Sequence, residues 1–174
     1  PPDLVVSEWE FTKQKIQDNL SNFSAFHYRS QLLPYILLLL QTKEEEQDKC
    51  TSLLQEELQL IEDAVCTEPD DQTAWWYHAL LLDQNSILLL KMDAALTSRL
   101  EEQTDLLREL LEEASSSLLS GKWILLGLHR VLTVLQRNPD EQRRLLEQLC
   151  QVDPDRSQRY QELLLLKTAR AAIV

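Results

Sequence analysis

The sequence predicts an all-α fold, an α-solenoid of stacked antiparallel helical hairpins. Three observations support this prediction. Apolar residues recur at three- and four-residue steps, which is the spacing of one helix face. The 174 residues include only two glycines and no Asn-Gly or Asp-Gly pair, so tight β-hairpins lack their usual turns. A short segment also recurs along the chain, as helical repeats require.

The first three helices are predicted from caps and periodicity. Ser7 and Glu10 form the S-x-x-E pattern of a capping box, so we expect a helix to open there and run toward Leu20. A second, largely apolar helix is expected at 22–41, with a kink at Pro34. The third helix carries one buried face, formed by Cys50, Leu53, Leu54, Leu58, Ile61 and Val65.

The later helices are predicted from stripes, breaks and proline starts. We expect a mostly apolar helix from Asp71 to about Lys91, and Gly121 breaks the chain before a further helix. Asn138-Pro139 and Asp153-Pro154 each place a cap residue before a proline at the first helical position. Between these, one stripe consists of Leu96, Leu100, Leu107, Leu111 and Ala114. The pattern predicts roughly eight helices, or four antiparallel pairs.

Composition limits the domain count and the class of partner. We predict a single helical-repeat domain over 1–174, with about four hairpins, because this length accommodates one substantial core. The net charge of −12 repels a phosphate backbone and argues against nucleic-acid binding. Because the sequence begins PPDLVV without methionine, we expect a fragment of a longer subunit.

Motifs for chemistry and for membranes are missing from the sequence. It has no glycine-rich phosphate loop and no Ser/His/Asp or Cys/His set, so we assign no catalytic, cofactor-binding or metal-binding residue. Three cysteines without C-x-x-C spacing favour a reducing compartment. The apolar run at 32–40 is shorter than the roughly 20 residues that cross a bilayer. We therefore expect a cytoplasmic protein without a transmembrane segment.

An internal repeat is the most informative feature of the sequence. The segment SNFSAFHYRSQLL at 21–33 lies over DDQTAWWYHALLL at 70–82, with a shift of 49 residues and no gap. A bulky aromatic follows a small residue in both copies, and two later segments hold weaker copies. Such rings pack between consecutive hairpins and set the angle between them. The predicted packing aromatics are Phe26, Trp75, Trp123 and Tyr160.

The residues around the start of each copy are expected at turns between helices, on one rim of the solenoid. Their polar members can cap helices, and the same rim can form a subunit interface, since the two roles are compatible. For Arg29, two roles stay open: an ion pair with a carboxylate of the adjacent repeat, or a contact with a partner. The candidate rim consists of Asn22, Phe23, Ser24, Tyr28, Arg29, Asp71, Gln72, Thr73 and Trp76.

The form of the two copies resembles a known repeat. The protein prenyltransferase α subunits carry a repeat whose core reads Asn-Tyr-x-x-Trp-x-x-Arg. The segment Asn22-Phe23-Ser24-Ala25-Phe26-His27-Tyr28-Arg29 is similar to it, with phenylalanine in place of tryptophan. The second copy is similar through Trp75, but it has Asp71 for the asparagine and His78 for the arginine.

Within that family, segments 7–82 and, more loosely, 118–165 are most similar to the carboxy-terminal half of Rab geranylgeranyltransferase α subunits. The resemblance implies that the hairpins stack into a right-handed superhelix. It also implies a non-catalytic scaffold for a prenyltransferase β subunit, which transfers geranylgeranyl from its diphosphate to C-terminal cysteines of Rab GTPases. It places zinc in the β subunit and none in this chain, and it implies a Rab escort protein and a Rab GTPase as further partners. The family's catalytic lysine belongs to repeats expected upstream of Asn22. Composition alone leaves open a non-enzymatic helical-repeat adaptor that binds a peptide or helix on its concave face.

Overall fold

The computed structural model describes residues 2–40, 46–83, 92–115 and 121–171. Within these ranges the chain forms eight α-helices and one 3-10 turn, without a β-strand, so the predicted all-α fold is confirmed. In chain order the helices are α1 (Pro2–Asp18), α2 (Phe23–Leu40), α3 (Glu46–Thr67), α4 (Gln72–Leu81), α5 (Ala94–Ser115), α6 (Lys122–Val134), α7 (Pro139–Val152) and α8 (Ser157–Ala171), with the 3-10 turn at Pro154–Arg156.

The chain divides into two compact units, Pro1–Glu101 and Glu102–Val174, with the boundary inside α5. In the first unit, α2 packs against α1, α3 and α4, and α3 also packs against α4. In the second unit, α7 packs against α6 and α8. Helical hairpins are therefore the building blocks of each unit. A single domain over 1–174 stays a prediction.

Helix α1 begins earlier than the capping pattern predicted. It opens at Pro2, and Ser7 and Glu10 lie inside it, so the predicted capping box is wrong. Proline suits the first turn of a helix, because the amide it lacks would have no intrahelical acceptor there. The buried face of α1 consists of Trp9, Thr12 and Ile16, whose spacing of three and four residues places them on one side.

Helices α2 and α3 supply most of the core of the first unit. Helix α2 continues through Pro34 to Leu40, and the predicted kink at this proline stays a prediction. The predicted stripe of α3 is confirmed, with Leu53 as the one member that is only half-buried. Its other members are at most 1% exposed: Cys50, Leu54, Leu58, Ile61 and Val65.

The fourth and fifth helices match their predictions in part. Helix α4 ends at Leu81, and Leu82 and Asp83 form a turn, so the predicted single helix to Lys91 is wrong at these two residues. The remainder of that prediction, 84–91, lies outside the described residues. On α5 the predicted stripe is buried at Leu96, Leu100, Leu107 and Ala114, while Leu111 is half-buried.

The predicted breaks in the second unit lie where the helices begin. Gly121 has a φ of 64° and precedes α6, and this left-handed conformation favours glycine. Pro139 opens α7, but Asn138 makes no cap hydrogen bond, since its side-chain amide donates to Glu141 Oε2 at 3.2 Å. Pro154 opens the 3-10 turn that leads into α8.

Candidate functional site

Three aromatic side chains from α2 and α4 meet on the surface of the first unit. Phe23 and His27 stack one turn apart on α2, with ring centroids 6.0 Å apart and planes 9° from parallel. The Trp76 ring of α4 lies 5.3 Å from the Phe23 ring and 5.8 Å from the His27 ring. Phe23 is 51% exposed, His27 is exposed and Trp76 is half-buried. We call these three residues the ring cluster.

The repeat explains why these rings meet. The shift of 49 residues makes His27 and Trp76 equivalent positions in the two copies. Helices α2 and α4, which carry them, pack against each other. Stacking two copies of one hairpin therefore brings equivalent side chains into contact. The rings form a continuous surface across two repeats.

Equivalent polar residues fix the starts of both helices. Asn22 Oδ1 accepts a hydrogen bond from the Ala25 amide at 3.1 Å, and Asp71 Oδ1 accepts one from the Thr73 amide at 2.6 Å. Burial alone would raise the pKa of Asp71, but hydrogen bonds from Ser21 and Thr73 outweigh it and hold that pKa below its usual value. An ionised carboxylate at a helix N-terminus also interacts favourably with the helix dipole. Of the predicted capping residues Ser24, Asp71 and Thr73, only Asp71 caps a helix, because Ser24 and Thr73 lie inside α2 and α4. Asn22 supplies the cap of α2, which the sequence did not predict.

A buried ion pair links the two hairpins of the first unit. Arg29 of α2 donates from Nε to Oε2 of Glu57 at 2.7 Å and from Nη2 to Oε1 at 2.6 Å. Its Nη1 donates to the Trp9 carbonyl at 2.8 Å and to Thr12 Oγ1 at 3.0 Å, and its guanidinium lies 3.5 Å from the centroid of the Trp9 ring. The Tyr77 hydroxyl donates to Glu57 Oε2 at 2.7 Å. Each of the helices α1 to α4 therefore contributes to one network.

The network shows that Arg29 is buried, so its predicted position on the candidate rim is wrong. Arg29 and Glu57 are each 1% exposed, so Arg29 is available to no partner and does not belong to an exposed rim. Of its two open roles, the ion pair with the adjacent repeat is confirmed. Thr73 is also buried, at 6% exposure. Burial, together with the charge of Glu57, raises the pKa of Tyr77 well above its usual value.

The remaining rim residues lie at or near the surface. Phe23, Ser24, Tyr28 and Gln72 are exposed, and Asn22, Asp71 and Trp76 are half-buried. The Ser21 hydroxyl donates to Glu68 Oε2 at 2.5 Å and so joins the turn after α1 to the end of α3. The candidate interface of the first unit therefore consists of the ring cluster and the capped helix starts around it.

The predicted packing aromatics differ in their surroundings. Phe26 and Trp75 are at most 1% exposed, and the Phe26 ring lies 5.4 Å from the Tyr77 ring across α2 and α4. Tyr160 is 2% exposed and donates to Asp153 Oδ2 at 2.6 Å. Trp123 is only half-buried and lies beside two cations. The role of the four rings in setting the angle between hairpins stays a prediction.

Sequence reasoning missed two residues of the site, His27 and Glu57. Both had a signal in the repeat, because the shift of 49 residues pairs Glu8 with Glu57 and His27 with Trp76. The same shift pairs Tyr28 with Tyr77. Desolvation, and then the charge of Glu8 and a hydrogen bond to it, raise the pKa of Tyr28. The glutamate–tyrosine pairing of Glu57 and Tyr77 thus occurs in both copies, exposed in one and buried in the other.

The structure shows neither a metal cluster nor a membrane helix in the ranges that it describes. Nowhere in those ranges do three or more His, Cys, Asp or Glu side chains come together as metal ligands. Of the helices described, none combines the length and the apolar character that a membrane crossing needs. The location of zinc in a partner subunit stays a prediction.

Comparison with known proteins supports the repeat assignment. Residues 5–36 and 54–85 match the family described as protein prenyltransferase alpha subunit repeat. These two segments cover most of the α1–α2 and α3–α4 hairpins. Geranylgeranyl transferase type-2 subunit alpha from Schizosaccharomyces pombe (strain 972 / ATCC 24843) is 40% identical over 68 residues. The aligned segment spans 39% of this chain and 20% of that relative. The predicted resemblance to the prenyltransferase α-subunit repeat is confirmed for these two segments, and the looser resemblance of 118–165 stays a prediction.

Proposed function

We propose that this chain is part of the α subunit of a Rab geranylgeranyltransferase and that it supports a catalytic β subunit. The observation that carries the proposal is the pair of successive prenyltransferase repeats, each formed by one helical hairpin. The similarity to a geranylgeranyl transferase type-2 alpha subunit favours this branch of the family. The reaction is transfer of geranylgeranyl from its diphosphate to cysteine thiols near the C-terminus of a Rab GTPase.

The contribution of this chain is a rigid surface for the β subunit. The ring cluster offers three aromatic rings on neighbouring helices, and aromatic residues are enriched at the centres of protein interfaces. The buried network of Arg29 and Glu57 supports this surface, because it fixes how the two hairpins that carry the rings pack against each other. A hydrogen-bonded ion pair admits few alternative packings. Zinc and the lipid pocket belong to the β subunit in this proposal.

The acidic first unit is a candidate surface for the Rab escort protein. Pro1–Glu101 carries 18 acidic and seven basic residues. Such a charge attracts a basic surface from a distance and speeds association, and salt weakens that attraction. We propose that the escort protein docks here in the cytoplasm with its Rab GTPase, and binding that is insensitive to salt would contradict this.

Copurification with a β subunit tests the proposed function. We expect the chain to copurify with a coexpressed type-2 geranylgeranyltransferase β subunit. Replacing Phe23 and Trp76 together by alanine should weaken the complex by about 30-fold or more, because truncating an aromatic hot spot costs about 2 kcal/mol or more and about 1.4 kcal/mol is a factor of ten. The matched control is Tyr35→Ala, which removes an exposed ring from the same helix α2 outside the rim.

The same experiment separates the proposal from a peptide-binding adaptor. An adaptor would bind short linear peptides and leave the β subunit in the unbound fraction. A folded chain that captures such peptides and ignores the β subunit would overturn the proposed function. Equal losses in the double variant and in Tyr35→Ala would exclude the ring cluster as the contact.

A further inference from the structure

Charge is distributed unevenly along this acidic chain. The first unit holds 18 of the 29 acidic residues but only seven of the 17 basic ones. Residues 121–171 carry nine basic and six acidic side chains, which is a net charge of +3. A local excess of cations within a chain of net charge −12 indicates a surface for an anionic group.

Four of these cations lie in the second unit, and two of them lie beside the Trp123 ring. Lys122 Nζ is 4.7 Å from the centroid of the Trp123 ring, and Arg156 Cζ is 5.7 Å from it. Arg130 follows Trp123 by seven residues, which is two turns along the same face of α6. Arg159 follows Arg156 by three residues and lies on α8. We call Lys122, Arg130, Arg156 and Arg159 the cationic patch.

One carboxylate beside the patch, that of Asp153, already has several partners. Asp153 Oδ2 accepts a hydrogen bond from the Tyr160 hydroxyl at 2.6 Å and lies 3.4 Å from Arg156 Nη1. Its Oδ1 lies 4.0 Å from Lys122 Nζ. Asp153 therefore interacts with Lys122 and Arg156. In the described part of the chain it forms no ion pair with Arg130 or Arg159.

Arg130 differs from the other arginines that are buried or half-buried in the described ranges. Each of those pairs with a glutamate: Arg29 with Glu57, Arg99 with Glu62 and Arg108 with Glu141. Neither Arg130 nor Arg159 lies within ion-pair distance of a carboxylate in the part of the chain that the structure describes. Burial, and then the nearby charge of Arg159, lower the pKa of Arg130. A half-buried cation without a counterion costs free energy that an incoming anion recovers.

We propose that the cationic patch binds an acidic segment of a partner protein, whose carboxylates pair with Arg130 and Arg159 while its backbone or side chains pack on Trp123. A guanidinium matches a carboxylate with two parallel hydrogen bonds, and arginine and tryptophan are enriched among the residues that contribute most of the binding energy at protein interfaces. This role does not depend on the assignment to a prenyltransferase.

The chain's net charge favours a short acidic segment over an extended polyanion. A nucleic acid or an anionic membrane presents charge over a large area, and a chain of net charge −12 is repelled by it. A short segment experiences mainly the charges within a Debye length, about 8 Å at physiological ionic strength. The local excess of cations therefore determines its binding.

Fluorescence anisotropy with a labelled oligoglutamate peptide tests the proposal on the full chain. We expect the peptide to bind, an oligoglutamine peptide of equal length not to bind, and affinity to fall as salt shortens the Debye length from about 30 Å to about 8 Å. Arg130→Gln and Arg159→Gln should each weaken binding by roughly fivefold or more, because each removes a charge-assisted hydrogen-bonded pair. The control is Arg143→Gln, an exposed arginine of α7 that pairs with Glu147 and should leave the affinity unchanged.

Thermal unfolding separates binding from a structural role of Arg130. An unpaired, half-buried charge destabilises the native state, so Arg130→Gln should unfold at the same temperature as the unmodified chain or higher, and Arg130→Lys should retain part of the binding. Three results would overturn the proposal. In the first, Arg143→Gln weakens binding as much as Arg130→Gln does. In the second, Arg130→Gln lowers the unfolding temperature together with the affinity while Arg159→Gln changes neither. In the third, the patch binds phosphatidylserine vesicles but not the oligoglutamate peptide.

Discussion

At the scale of single residues, the buried ion pair between Arg29 and Glu57 is the contact of the first unit that depends most on complete hydrogen bonding. Both side chains are removed from water, and desolvation of two charges is repaid only when every donor and acceptor has a partner. Here the Trp9 carbonyl, the Thr12 hydroxyl and the Tyr77 hydroxyl complete the set. The pair therefore specifies how the hairpins dock more than it adds net stability.

Removing one partner of this pair should be far more harmful than removing both. We expect Glu57→Ala to lower the free energy of unfolding by about 3–5 kcal/mol, because it leaves an uncompensated charge in the interior. The double change Arg29→Met with Glu57→Leu should cost much less, since both charges leave together. Urea unfolding measures both values. Equal losses in the single and double variants would contradict the satisfied-pair interpretation.

Tyr160 should make the second unit sensitive to alkaline pH. Burial, followed by the hydrogen bond to Asp153 and its charge, raises the pKa of Tyr160 from 10.0 to about 12. The native state then holds the phenolic proton more tightly than the unfolded state, so this contribution is complete below pH 10 and declines as the pH rises toward 12. Tyr160→Phe should flatten the decline in the free energy of unfolding over that window. An unchanged slope in the variant would rule out Tyr160 as its source.

At the scale of helices, the two repeat copies begin with equivalent caps. Asn22 and Asp71 each accept a hydrogen bond from an amide of the first turn, and the ring cluster follows directly from these starts. A loose helix start would therefore displace the rings as well as weaken the helix. Cap chemistry and the candidate interface are coupled at this end of α2 and α4.

Substitutions at Asp71 should distinguish the contribution of its cap hydrogen bond to stability from the contribution of its negative charge. Asp71→Ala should cost about 1 kcal/mol, and Asp71→Asn less, because the amide oxygen keeps the acceptor that the Thr73 amide needs. The lowered pKa of Asp71 adds stability that is present above its unfolded pKa and is lost as the pH falls through the native one. Chemical unfolding at neutral and at acidic pH measures this, and equal costs for alanine and asparagine at neutral pH would refute the cap.

At this scale, the sequence predicted correctly those features that depend on residues close together in the chain. The α3 stripe and the proline starts of α7 and the 3-10 turn depend on periodicity and on missing amides, which neighbouring residues determine. The capping box at Ser7 and Glu10 failed because the helix extends to Pro2, where a proline start is equally favourable. Glu57 and His27 were missed because their partners come from stacked hairpins, although the shift of 49 residues already aligned them with Glu8 and Trp76.

At the scale of the whole molecule, the chain combines two segments that match the prenyltransferase alpha subunit repeat with a charge distribution that changes sign along its length. The repeats place the ring cluster and the buried network in the first unit, and the cationic patch lies in the second. The two surfaces differ in chemistry, since one is aromatic and the other basic. They are therefore suited to different partners, a globular subunit and an acidic segment.

Light scattering of the chain coexpressed with a type-2 geranylgeranyltransferase β subunit tests the central claim most directly. The measurement reports the molar mass of the species that elutes from a size-exclusion column. We predict one species whose mass is the sum of one copy of each chain, formed with Tyr35→Ala and reduced in amount when Phe23 and Trp76 are both alanine. A folded chain that elutes at its own 20.3 kDa, separate from the β subunit, would contradict the account.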